Sequence, residues 1–187
     1  MIHSKTLLNL INVLLFFASS QSWSKELLLS ADKIAVEDGD TLLISFDDGE
    51  KRVQLIDIDA PEDTDNAKFK VDMKRTGLDY DTLFSLGAIA TKHLRKLLAE
   101  EDGFKLVYEP DRLDRYGRLL ADLRDEAGVS ISEKMVTNGY AIAKPLGEPN
   151  TPHPYVALQQ QAQQEKRGLW GLLPKQTRLW SGSAPTQ

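Results

Sequence analysis

Cysteine is absent from the 187-residue chain. That excludes disulfide bridges, thiolate zinc sites and cysteine nucleophiles together, so the fold is held by packing, alone or with a metal. Histidine is scarce. His3, His93 and His153 are scattered, and His3 lies in the N-terminal segment, so zinc hydrolysis is not indicated. No GxSxG element occurs, which removes the commonest serine-hydrolase signature. Basic residues are outnumbered, 23 to 28, giving a formal charge of −5. This balance argues against a broad cationic coat for non-specific binding to nucleic acid, but leaves room for a local cationic pocket or a metal bridging two anions. Internal repeats are missing, and Gln159–Gln161 is the one short biased run.

Long hydrophobic runs are also rare, and the one present is N-terminal. Lys5 precedes the apolar stretch LLNLINVLLFFA, and the small residues of SSQSWS follow. This is the order of a secretory signal peptide, too short to span a bilayer comfortably. Cleavage is expected after Ser24, with Ser20 and Ser22 as other suitable positions and a retained anchor as the alternative reading. No cysteine lies near the cleavage site, so lipid attachment there is excluded. The expected product is exported, periplasmic or secreted, with no stable membrane association. Removal of residues 1–24 takes away one lysine and makes the net charge one unit more negative. The remainder suits one domain, residues 25–174, followed by a loose tail at 175–187.

The segment ADKIAVEDGDTLLISFDDGEKRVQLIDIDAPE reads as a β-meander, with Asp47-Asp48-Gly49 as a hairpin turn. In its third run Val53 and Leu55 occupy one parity and Ile56 and Ile58 the other, as in a strand buried on both faces. Residues Asp63–Leu83 carry many charges, few apolar side chains and Gly77, and read as a surface loop with a basic cluster at Lys68, Lys70, Lys74 and Arg75. Leu86, Ile89, Ala90, His93, Leu94, Leu97 and Leu98 have helical spacing. FKLVYEP and GRLLADLRDEAG predict two more strands. Helices are expected over Ser130–Ala143 and Tyr155–Lys166, separated by the proline-rich PLGEPNTPHP. The order predicts an α+β fold, a five-stranded OB-type β-barrel with three helices.

Three short segments carry candidate chemistry. Asp38-Gly39-Asp40-Thr41 lies between the first two strands, and Asp59-Ala60-Pro61-Glu62 ends the third. Adjacent strands can bring Asp40 and Asp59 together, with Glu62 just beyond. Two carboxylates, carbonyls and water suit a hard cation such as Ca²⁺, and a further carboxylate is then available to act on water. The third segment is Asp114-Arg115-Tyr116-Gly117-Arg118, where an arginine at a strand start can bind two phosphate oxygens with its planar fork.

DGDT, the strand ending in IDAPE, Gly87, DRYGR, NGYA and EKRGLW together resemble the staphylococcal nuclease (thermonuclease) family, from about Ala31 to Trp170. The resemblance implies the barrel with three helices and Ca²⁺-dependent cleavage of phosphodiesters in DNA and RNA, leaving 3′-phosphates. It implies metal binding by Asp40, Asp59 and the Ala60 carbonyl, Glu62 as general base, and Arg118 on the scissile phosphate. Arg115 and Tyr116 fall where substrate phosphates are contacted. The expected partner is a DNA or RNA strand, single-stranded by preference, and the protein a monomer. The alternative is a weak or inactive nucleic-acid-binding module of the same family.

One catalytic position departs from the family. Its second arginine falls on Gln54, which donates hydrogen bonds but brings no charge. Arg52, two residues back on the same strand face, or a basic residue of the 63–83 segment, is expected to supply part of that charge. Tyrosines that contact the terminal base in the family fall on Pro145 and Gly147. The segment after Glu62 is longer than in the family's best-known member.

Overall fold

The computed structural model describes residues 24–144 and 153–183. The apolar N-terminal run, most of the proline-rich stretch including Pro145 and Gly147, and residues 184–187 lie outside the described residues. Strands β2 (Ile34–Val36), β3 (Thr41–Phe46) and β4 (Gly49–Leu55) form the expected meander, and Phe46 faces Gly49 across the two-residue turn. Ahead of them, β1 (Lys25–Ser30) is a strand that the sequence pattern hides. Of its three successive leucines only Leu29 is buried, while Leu28 is 78% exposed, so the alternation is masked by an outward-facing apolar residue.

β1 pairs along its length with β6 (Gly103–Leu113), β6 pairs with β7 (Leu119–Arg124), and β7 runs parallel to β4. The order β1-β6-β7-β4-β3-β2 makes one six-stranded sheet, curled as in an OB-like barrel, within an α+β domain. The inner face buries Leu42, Ile44, Val53, Leu55, Leu106 and Leu123. Helix α2 (Tyr80–Leu98) adds Ala90, Leu94 and Leu97 to that core, and α3 (Ile131–Thr137) adds Ile131 and Met135.

The double-parity run is two strands. β4 ends at Leu55, Asp57 adopts a left-handed conformation (φ 64°), and Ile58–Asp59 form β5, which pairs with β8 (Ile142–Ala143). The turn resets the alternation, so the two parities belong to two different sheets, the six-stranded one and a two-stranded one. The expected helix over Ser130–Ala143 is accordingly shorter, ending at Thr137 before β8. The Ser130 hydroxyl donates to Asp122 (2.6 Å) instead of capping that helix. Helix α4 (Val156–Gln164) lies within the expected Tyr155–Lys166, and a short α5 (Leu169–Leu172) follows.

The segment Asp63–Leu83 is not a loop. It contains α1 (Ala67–Thr76) and the first turn of α2. The Asn66 side chain caps α1 by accepting from Phe69 N–H (2.9 Å), and Gly77 closes it in the left-handed conformation. Lys74 and Arg75 favour the negative end of its dipole. Capping residues, more than an apolar stripe, define this helix, and Gly77 is its stop. Asp79 then caps α2 by accepting from Thr82 N–H (2.8 Å).

Residues 175–181 of the expected loose tail instead belong to α6 (Pro174–Ser181). Trp180 is 2% exposed and packs with Phe69, Leu83, Leu86 and Leu169, while its carbonyl accepts from Arg75 (2.8 Å). Trp180→Ala is therefore expected to cost about 3–5 kcal/mol, read as a lower midpoint in urea unfolding. A midpoint equal to that of the unsubstituted protein would show that α6 is dispensable. Among the described residues no helix is long and apolar enough to cross a membrane.

Candidate active site

The DGDT turn is shaped by its own acids. Asp38 accepts from Asp40 N–H (3.0 Å), and the Asp40 carboxylate reaches across to accept from Ala60 N–H (2.9 Å). Gly39 permits this approach: a Cβ there would lie 2.7 Å from that of Ala60 and 3.1 Å from that of Ala90. The structure thus brings Asp40 to the Asp59–Glu62 segment, as the strand order predicts. Pairing of β5 with β8 fixes Asp59 opposite Ile142.

Arg118 enters from the β6–β7 connection. Asp114 accepts from the Tyr116 and Arg118 N–H groups (2.8 and 2.9 Å) and from the Arg118 Nε (2.7 Å). Burial of Asp114 works against its ionisation, but these hydrogen bonds outweigh it and hold the carboxyl below the usual range. The other side of the Arg118 fork donates to Thr41 Oγ1 (2.8 Å), which itself donates to Asp40 (3.2 Å). Arg118 and the Asp40 carboxylate are therefore linked through one hydroxyl. Arg118 and Arg115 lie 5.5 and 4.8 Å from the Tyr116 ring centre, and Tyr116 itself is exposed at the rim.

Lys68, on α1, occupies the middle of the acidic group. Its Nζ donates to the Ala60 carbonyl (3.2 Å) and lies 3.1 Å from Glu62, 3.3 Å from Asp59 and 3.6 Å from Asp72. Glu62 is buried, and its other oxygen accepts from Asn66 Nδ2 (2.5 Å). Burial opposes the charge on Lys68, yet Asp59, Glu62, Asp40 and Asp72 hold its pKa well above the ordinary lysine range.

The acids still outnumber the cations. Burial, followed by repulsion from Asp40, pushes Asp38 up to about 7. Burial pushes Asp59 up to about 6 despite the pull of Lys68, with Asp40 again adding repulsion. An excess of desolvated carboxylates together with a carbonyl is the donor chemistry of a hard divalent cation, so Asp40, Asp59 and Ala60 fit Ca²⁺ in kind. Among the described residues, no three carboxylates or imidazoles already converge as a metal-binding group. Lys68 stands among the oxygens that would do so.

Gln54 is 2% exposed, faces Thr41 on β3 and donates to the Leu55 carbonyl (3.3 Å). It lines a cleft of about 540 Å³ with Asp40, Asp59, Glu62, Lys68 and Arg118. Arg52 is not among the residues of that cleft but lines an adjoining cavity of about 220 Å³ with Glu62, Lys68 and Arg118. The Arg52 fork is taken by Glu37 (2.7 and 2.5 Å), so the expected substitute charge is already paired. Lys68, from the 63–83 segment, does line the cleft, but its ammonium is likewise paired, with Asp59, Glu62 and Asp72. Lys144, beyond β8, also lines the cleft and favours ionisation of Asp59. Sequence reading missed it because its approach depends on the β5–β8 pairing. A larger cleft, about 910 Å³, follows the barrel wall past Phe46 and Tyr108 and shares only Tyr116 and Arg118 with the site.

Comparison with known proteins agrees with the geometry. The sequence profile of the family described as staphylococcal nuclease homologue matches residues 52–171. An uncharacterised endonuclease of Escherichia coli O157:H7 is 30% identical over 137 residues, covering 73% of this chain and 74% of that protein. Endonuclease YhcR of Bacillus subtilis (strain 168) is 27% identical over 139 residues, covering 72% of this chain. The chain spans only 11% of YhcR's length.

Proposed function

Because the chain belongs to the staphylococcal nuclease homologue family, we propose that it is a Ca²⁺-dependent nuclease hydrolysing phosphodiester bonds of DNA or RNA. The observation that carries this reading is the convergence of Asp40, Asp59, Glu62 and Arg118 on one cleft. Arg118 binds the scissile phosphate with the N–H groups that Asp114 and Thr41 leave free, and is held in position by those two partners. Glu62 accepts a proton from the attacking water as the new P–O bond forms. The bond to the 5′-oxygen breaks, a 3′-phosphate remains, and the leaving oxygen takes a proton from solvent. Asp40, Asp59 and the Ala60 carbonyl would hold Ca²⁺, which would supply neutralisation of phosphate charge.

Arg115 and Tyr116 grip the strand beside the reacting phosphate. A single strand suits this rim, since it offers both phosphates to Arg115 and unpaired bases to the exposed ring. Gln54 contributes hydrogen bonding without charge. The proposal includes a monomeric enzyme exported by its N-terminal apolar segment to the periplasm or medium.

Digestion of single-stranded DNA by the purified mature protein, with Ca²⁺ or with chelator, tests this function. Cleavage is expected with Ca²⁺ alone, Glu62→Gln is expected to lower it by about 10²–10³, and Gln54→Arg to raise it. The buried neutral Gln54 favours a second reading, a binding module with weakened catalysis. Ca²⁺-independent binding of the DNA with no cleavage would establish that reading instead.

A further inference from the structure

Helix α1 places an ammonium group among the oxygens to which the proposed function assigns the metal and the base. Three observations show that the placement is built. Lys68 Nζ is shared among Asp59, Glu62, Asp72 and the Ala60 carbonyl. Asn66, which caps the same helix, holds the second oxygen of Glu62. Asp72, one turn on from Lys68 and 6% exposed, is fixed by Arg75, which also reaches the Trp180 carbonyl of α6. The lysine is thus carried on a helix anchored at both ends, and its ammonium meets the same hard oxygens that a divalent cation would take.

We propose that Lys68 is a tethered cation that holds the metal's place in the free protein and must leave before a divalent ion binds. The inference rests on the nuclease reading of the site. Without an ion, the ammonium balances part of the carboxylate charge and keeps Asp59, Ala60 and Glu62 together. An ion carrying two charges competes for Asp59 and the Ala60 carbonyl, and the lysine stem, 29% exposed, swings toward solvent. The same movement frees one oxygen of Glu62, which in the closed arrangement has both oxygens engaged. Ion binding and release of the base are then one event, so cleavage follows ion saturation with its midpoint moved to higher divalent cation.

The affinity of a site closed for most of the time falls by the fraction that is open. Calorimetric titration with Ca²⁺ is therefore expected to show Lys68→Met binding about tenfold more tightly or better, as for a wild-type open fraction of about a tenth. Equal or weaker binding by Lys68→Met overturns the proposal. No Ca²⁺ binding by either protein overturns both this proposal and the metal-dependent function, whereas equal, measurable binding leaves that function standing.

A second measurement needs no substitution. Amine acetylation of the wild-type protein, followed residue by residue by mass spectrometry, is expected to increase at Lys68 as Ca²⁺ saturates. The exposed Lys70, paired with Asp65, serves as the reference and should not respond. A lysine with a merely structural ion pair would keep its labelling rate, and that result would overturn the proposal.

Discussion

Arg118→Ala is expected to lower cleavage of single-stranded DNA by about 10²–10³ while leaving Ca²⁺ binding measurable. Arg118 works through geometry as well as charge. Its fork is set by Asp114 on one side and Thr41 on the other, and Thr41 in turn meets Asp40. Arg118→Lys should therefore recover little, because an ammonium cannot satisfy both partners and present a planar pair of donors. Steady-state rates for both variants, with calorimetry for Ca²⁺, check the expectation. Substantial rescue by lysine would mean that charge alone suffices. Unchanged cleavage by the alanine variant would remove Arg118 from the reaction.

Gly87→Ala is expected to damage both stability and cleavage, although alanine is normally the better helix former. In an open helix the change would gain roughly 1 kcal/mol. At this position the new Cβ would lie 2.1 Å from the Glu62 carbonyl oxygen, 2.3 Å from its carbon and 2.6 Å from the Asp63 nitrogen. These are backbone atoms and cannot rotate aside. Overpacking of this kind costs roughly 1–3 kcal/mol, so the steric term wins. The Glu62 backbone must move, and a shift of about 1 Å at a reacting group can cost about 10² in rate. Thermal unfolding and cleavage assays should both register the loss. A higher melting temperature with normal cleavage would show that α2 and the Glu62 segment separate freely.

The sequence made the chemistry of this site more legible than its supports. DGDT, DAPE and YGR are compact segments whose spacing survives in the fold, and their side chains do meet around one cleft. The α2 stripe was equally clear, because Leu86, Ala90, Leu94 and Leu97 recur on one buried face. α1 was hidden since its apolar residues are few and its limits are set by Asn66 and Gly77. The short strand β5 was hidden by one residue, Asp57, whose left-handed turn merges two alternations into an apparently continuous run, and its partner β8 by the helical pattern read through Ala143. The position of Lys68 depends on that unseen helix, and that of Lys144 on the unseen strand pair. For Arg52 the strand face is legible from its spacing to Gln54, but nothing marks Glu37, fifteen residues earlier, which claims its fork.

The pairing of β5 with β8 also bears on the order in which a growing chain becomes competent. Asp40, Asp59, Glu62 and Arg118 all lie in the first two thirds of the sequence, yet Asp59 is fixed against Ile142. Helix α1 leans on Trp180, near the other terminus. Synthesis runs from the N-terminus, so the acids emerge from the ribosome long before their scaffold does. An incomplete chain holds these side chains without their arrangement, which is completed only when β8 and α6 are in place.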